Sequence, residues 1–250
     1  MNSKNPFFKT DSFKNATTTH EAVVIDYQDT MTVSGTINKS VLLLFLLVAS
    51  AFATWNMAIN GQNPTILMIG GAIAGLVFVL ITTFKPQLSS YLSPAYAVAE
   101  GLFIGGLSAI FEVRYPGIVM QAVGGTFATF FACFMLYKYK VVTVNDKFRS
   151  IVIAVTAAIA IYYLCSWILT FFISYQPVHY GNSLISIGIS LFVIVIAALN
   201  LFLDFDQIER GAAQRAPKYM EWYGAMGLMI TLVWLYVEFL RLLSKLSSRK

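Results

Sequence analysis

Two carboxylates stand where a lipid-facing helix would not hold them. Asp204 lies in Leu201-Phe-Leu-Asp-Phe-Asp-Gln-Ile-Glu-Arg-Gly211, and Glu238 in Leu232-Val-Trp-Leu-Tyr-Val-Glu-Phe-Leu-Arg-Leu-Leu243. The apolar runs around them, Leu184 to Phe205 and Trp222 to Leu246, are long enough to cross a bilayer. An ionisable group inside a span is costly unless it is paired or hydrated, which makes each acid a candidate functional group. Two acids on sequence-adjacent helices can also couple and share one proton. The bland alternative puts both at the headgroup level, and it suits Asp204 better than Glu238, which has apolar turns on both sides.

Other polar residues cluster around these two. Asn200 and Gln207 fall on the same helical face as Asp204, a polar stripe suited to lining a bundle interior. Asp206 projects almost opposite and is expected to be solvated or headgroup-facing. Arg241 follows Glu238 by one helical turn and can reach it. Such an ion pair would keep both acids ionised and flatten any pH response near neutrality. In Pro94-Ala-Tyr-Ala-Val-Ala-Glu100 a third acid sits near the start of its own span, at a depth similar to that of Asp204. Glu100 is either a further member of the acidic site or a snorkelling interfacial glutamate.

Enzyme chemistry finds little support. No His-Glu-x-x-His is present, and the only histidines, His20 and His179, fall in the tail and in a loop between spans. No span offers a serine with a histidine or lysine beside it, and the last span lacks a mid-membrane lysine for a retinal Schiff base. Cys133 and Cys165 lie in apolar segments without metal-ligand spacing and read as packing residues. The expectation is therefore a non-enzyme with no metal site and no cofactor.

These side chains must be positioned by membrane helices. Of 250 residues 58% are hydrophobic and 12% charged, against about 25% charged in a soluble domain. Mean hydropathy is +0.70. The net charge of +5 is read as cytoplasmic Lys and Arg that set orientation. Without a basic stripe on a long polar helix, nucleic-acid binding is not expected. Spans are expected at 41–59, 65–84, 95–111, 117–137, 151–174, 184–206 and 224–246, seven in all. Asn60-Gly-Gln-Asn-Pro64, Lys85-Pro86, Ser93-Pro94, Tyr115-Pro-Gly117 and Gln176-Pro177 break the helices between them.

The domain reading is a flexible cytoplasmic tail over 1–38, a seven-helix domain over 39–246 and a short tail over 247–250. The first 38 residues are polar without an apolar core, so no cleavable signal peptide is expected there. Within the tail, Asn5-Pro-Phe-Phe8 and Phe13 either touch the membrane or bundle or are incidental aromatics. Twelve Lys and Arg fall in segments on the N-terminal side of the membrane. Four (Arg114, Lys245, Arg249 and Lys250) fall on the other side, with Arg241 inside the last helix. This favours an N-terminus inside and a C-terminus outside. Trp55, Trp167, Tyr175, Tyr180, Trp222 and Tyr223 fit interfacial belts. Gly71-Ala-Ile-Ala-Gly75 and Gly101-Leu-Phe-Ile-Gly105 allow close helix approach, though not necessarily to each other.

The C-terminal motifs carry a resemblance. Asp204-Phe-Asp-Gln-Ile208 resembles the Asp-x-x-Gln-Ile of the Bax-inhibitor family of seven-span proteins, in particular its bacterial branch. Leu235-Tyr-Val-Glu-Phe239 is similar to that family's Leu-Tyr-x-Asp-Phe, with Glu for Asp. Glu221-Trp-Tyr, Thr231-Leu-Val-Trp-Leu-Tyr236 and the third-span run from Ala95 to Gly105 are similar to a longer-looped bacterial subgroup. The resemblance implies an all-α bundle with the last helix at its centre, in a bacterial inner or plasma membrane. It also implies a pH-sensitive calcium leak gated by Asp204 and Glu238, with Glu100, Asn200, Gln207 and Arg241 in support. Ca²⁺ would be the transported ion and no cofactor is implied; the partners are the lipid bilayer and, in the alternative, a membrane-bound protease. The alternative it leaves is a non-channel protein that modulates a membrane-bound protease or stress machinery.

One conflict is internal to this reading. Centring the apolar runs separates Asp204 and Glu238 by roughly 20 Å along the membrane normal, whereas the resemblance requires them adjacent. An extended connection over 211–223, with a last span starting near Gly224, would bring them level.

Overall fold

The computed structural model describes residues 30–172 and 177–249, without the side chains of Phe171 and Tyr180. The expected tail aromatics Asn5–Phe8 and Phe13, the lysines Lys4, Lys9, Lys14 and Lys250, Tyr175 and the Tyr180 ring lie outside that description. Among the described residues seven helices are long and apolar enough to cross a membrane. They are α1 Val33–Ile59, α2 Thr65–Phe84, α3 Ser89–Arg114, α4 Ile118–Lys138, α5 Asp146–Phe172, α6 Leu184–Ala213 and α7 Met220–Ser247. Short 3₁₀ turns, Pro86–Leu88 and Val178–Tyr180, precede α3 and α6. The chain is an all-α polytopic membrane protein.

Local chemistry sets the helix ends. Thr32 caps α1, its hydroxyl accepting from the Gly35 amide at 3.0 Å, and Ser183 caps α6 by accepting from Ser186 at 3.1 Å. The α1 helix therefore begins at Val33, inside the segment expected as tail. Before α4 the chain turns through Gly117 at φ 82°, a left-handed conformation that glycine adopts without strain. The Glu112 carboxylate then accepts from the Gly117 and Val119 amides at 2.6 and 3.1 Å and caps the new helix. At Ser93-Pro94 the expected break does not occur, because α3 starts earlier and runs through Pro94. Close to the helix start, the missing proline donor removes one backbone bond without ending the helix.

Helix α7 is the axis of the bundle and packs against α1, α3, α4 and α6. Half of its most apolar window is buried, against 11% for α5, which lies at the edge. Helix α3 is sandwiched between α1 and α2 by its own glycines and by Gly71 and Gly75 of α2. A Cβ on Gly101 or Gly105 would run into α1 at Leu47 and Ala51, whereas one on Gly71 would run into the Ala99 carbonyl of α3. The two small-residue faces thus pack on different partners.

The start of α1 and the α6–α7 connection meet at one end, where the Met31 amide donates to the Ala216 carbonyl at 2.7 Å. Cys133 is buried with Sγ 3.7 Å from the Ala198 carbonyl, Cys165 is exposed, and both are free thiols.

Candidate functional site

The α6–α7 connection decides the site's geometry. Helix α6 continues to Ala213 and α7 resumes at Met220, so the link is a tight turn and not the extended segment expected over 211–223. Gly224 permits the helices to close on each other there: a Cβ on it would lie 3.2 Å from Ile208 Cγ1. Antiparallel helices joined this tightly keep each residue at the depth its distance from the turn dictates. Asp204 therefore falls opposite Gly227, from whose Cβ position its Oδ1 lies 3.9 Å, and faces the Thr231 hydroxyl. Glu238 is two further turns along α7, about 10 Å beyond Thr231. The two acids make no hydrogen bond to each other, and the expected shared-proton dyad is not formed. The centring argument holds over the motif argument.

Asp204 borders a cavity of about 150 Å³ between α2, α6 and α7. Its polar lining is Thr82 and Thr83 from α2, Asp204 and Gln207 from α6, and Tyr223 from α7. Two oxygens there, Asp204 Oδ2 and Thr82 Oγ1, are buried without a hydrogen-bond partner in the structure. Asn200, expected on the same stripe, turns instead to α5, donating to Thr156 Oγ1 at 2.8 Å. Glu100 is not in the cavity lining: its Oε2 lies 2.7 Å from where a Gly75 Cβ would be, against α2 and beside Tyr96.

Glu238 belongs to a polar network at the opposite end of α7. Its Oε1 accepts from Arg241 at 2.9 Å, the ion pair expected from spacing, and from the Tyr163 hydroxyl of α5 at 3.3 Å. Arg241 stacks over the Tyr163 ring at 5.3 Å, and the His179 ring lies 5.0 Å from that of Tyr163. His179 Nδ1 is 3.1 Å from the Tyr162 hydroxyl. Burial and the positive charges of Arg241 and Lys245 push this histidine below the ordinary imidazole range. Lys245, counted above among external lysines, is buried and donates to the Ser186 carbonyl at 3.1 Å and Ser190 Oγ at 2.7 Å. Glu238 Oε2 is left buried without a partner.

Two acids carry more structure than their sequence context announced. Asp206, expected at the surface, is only 8% exposed and is held by Arg149 of α5 at 2.5 Å and Arg210 at 2.8 Å. Helical phase points it away from Asp204, but α5 covers that face. Glu221 is fully buried at the start of α7. It accepts from the Thr32 amide and hydroxyl, both at 2.8 Å, and pairs with Lys218 at 3.1 Å and with Lys39 of α1. Gly35 leaves room for its carboxylate, which any Cβ there would strike. The available signal was Lys218 one turn before Glu221 at a helix start, but that spacing also describes a solvated interfacial pair. Among the described residues no group of His, Cys, Asp and Glu could hold a metal ion.

A helical bundle with buried acids on its last two spans defines a multi-pass α-helical membrane protein. The family model described as Bax inhibitor 1 like matches residues 5–248. The chain belongs to that family. No curated protein matches it.

Proposed function

We propose that the chain is a pH-sensitive cation leak pathway, with Ca²⁺ the expected ion, entered through the Asp204 cavity. The observation that carries this reading is the pair of buried, partnerless oxygens, Asp204 Oδ2 and Thr82 Oγ1, on one cavity wall. Buried oxygens without partners are costly, and a cation or its water supplies the missing contact. Oxygen donors with one negative charge suit a hard divalent ion. Protonation of Asp204 removes that charge, so leak through the cavity should fall as pH falls. Leu201 and Leu235, both fully buried, belong to one apolar cluster of α6 and α7 and are not part of the cavity lining. Glu238 and its partners then act as a separate lock at the far end. The Lys and Arg distribution supports a cell membrane in which the cavity end and the N-terminus face the cytoplasm.

Calcium flux into liposomes carrying the purified chain and an enclosed calcium dye tests the reading. Asp204→Asn should reduce the leak about tenfold and abolish its pH dependence, a change of about 1.4 kcal/mol in barrier. Thr82→Val should reduce it less. Wild-type leak in Asp204→Asn would remove the cavity from the pathway. Absence of leak in the wild type would leave the protease- or stress-machinery partner as the better reading.

A further inference from the structure

A second, larger feature lies on the far side of α7. Helices α1 and α4 make no extended contact with each other, and a slot runs between them with α7 as its floor. Two cavities, of about 820 and 430 Å³, compose it and share Leu44, Phe127, Met229 and Leu232 in their walls. Along α1 the lining extends from Val33 to Trp55, about 33 Å of helix and close to the roughly 30 Å thickness of a hydrocarbon core. The deep part is apolar.

The end beside the start of α1 is basic. Lys138 and Lys140 line that mouth, and neither makes an ion pair or hydrogen bond through its side chain among the described residues. Lys140 has φ 55°, just past the end of α4, where glycine is the usual residue. Arg215 takes the same conformation, φ 53°, just past the end of α6, so the backbone alone does not single Lys140 out; its place at the mouth of the slot does. The acids at the same mouth are engaged: Asp206 by two arginines, Glu209 by the Tyr137 hydroxyl at 2.5 Å.

We propose that this slot is a binding site for an acidic glycerophospholipid of the surrounding bilayer, one acyl chain lying on α7 and the phosphate between Lys138 and Lys140. The order of chemistry along the slot, apolar floor and then unpaired ammonium groups, is the order along such a lipid. Its floor is the central helix: Leu232 and Val233 of α7 line it and are only half-buried. The slot is remote from the Asp204 cavity, which opens between α2, α6 and α7, so the proposal does not depend on the leak reading.

The test is photo-crosslinking in phosphatidylcholine vesicles doped with phosphatidylglycerol or phosphatidylcholine carrying a diazirine in the acyl chain. Label should map to α7 at Leu232 and Val233. At the attraction each basic residue near a membrane surface contributes, the phosphatidylglycerol probe should label α7 roughly ten- to thirtyfold more than its phosphatidylcholine analogue. Lys138→Gln with Lys140→Gln should bring the two probes level. Leu44→Trp, which narrows the slot, should abolish α7 labelling by both while Phe45 and Phe84 on the outer face stay labelled. Label confined to such outward residues in the wild type overturns the proposal, as does equal α7 labelling by the two probes. Crosslinks joining α1 or α4 of two chains across the slot would assign it to a second copy and overturn it equally.

Discussion

At one end of the α6–α7 pair, Asp204 faces a cavity and forms no ion pair among the described residues. At the other, Glu238 is held by Arg241 at 2.9 Å and Tyr163 at 3.3 Å, with Lys245 and His179 close behind. Both are acids on spanning helices. The difference is what surrounds them. A buried charge that is paired fastens helices together, and removing its partner strands it. A buried carboxylate beside space, with a hydroxyl but no cation facing it, is the better candidate for a group that binds and releases a ligand. Sharing a motif context does not make two acids one site.

The comparison can be broken at four places. The largest effect is expected from Arg241→Ala, which leaves Glu238 buried without its salt bridge. Full loss of a buried pair costs about 3–5 kcal/mol. With the Arg241 side chain 39% exposed, about 2 kcal/mol in thermal or denaturant unfolding is the expectation. No loss of stability would dissolve the lock. Tyr163→Phe should cost about 1 kcal/mol, the ordinary worth of one hydrogen bond, and loosen the contact of α5 with α7. Next comes a pH effect. Because His179 binds its proton less readily when folded, the unfolded chain takes up the extra proton as pH falls through about 6.5. Stability should therefore decline below that pH, and His179→Asn should flatten the decline. An identical slope in the variant would place the titration elsewhere. The smallest stability change is expected from Asp204→Asn, about 1 kcal/mol or less in either direction, since no cation is stranded. A loss as large as that of Arg241→Ala would show that the two acids do equal structural service.

Much of the bundle was legible because its signals are local. Apolar length marked the seven spans, and Pro and Gly marked most of the breaks between them. The Glu238–Arg241 pair was legible too, since one helical turn fixes that distance whatever the helix packs on. Asp206 was misjudged for a complementary reason. Helical phase says which way a residue points from its own axis and nothing about whether another helix stands there. Arg149 arrives from α5, and no feature of 204–208 announces it. Nothing in the Glu221-Trp-Tyr run announces a role for Glu221, because its partners Thr32 and Lys39 lie 189 and 182 residues away. The expected adjacency of Asp204 and Glu238 failed on the short turn between α6 and α7, which converts sequence distance directly into depth.

The sequence by itself determined the solvent, the number of crossings and the family, because burial in lipid demands apolar runs of fixed length and closed backbone hydrogen bonding. It also determined which residues were chemically able to form a site. Which of them meet was decided only by the tertiary structure. A carboxylate's state depends on what lies within a few ångströms, and in a bundle those neighbours come from helices remote in the chain. That is why Asp204 keeps an open cavity with Thr82, Glu238 is tied to Tyr163, and Asp206 and Glu221 are locked by cations that their own helices alone do not supply.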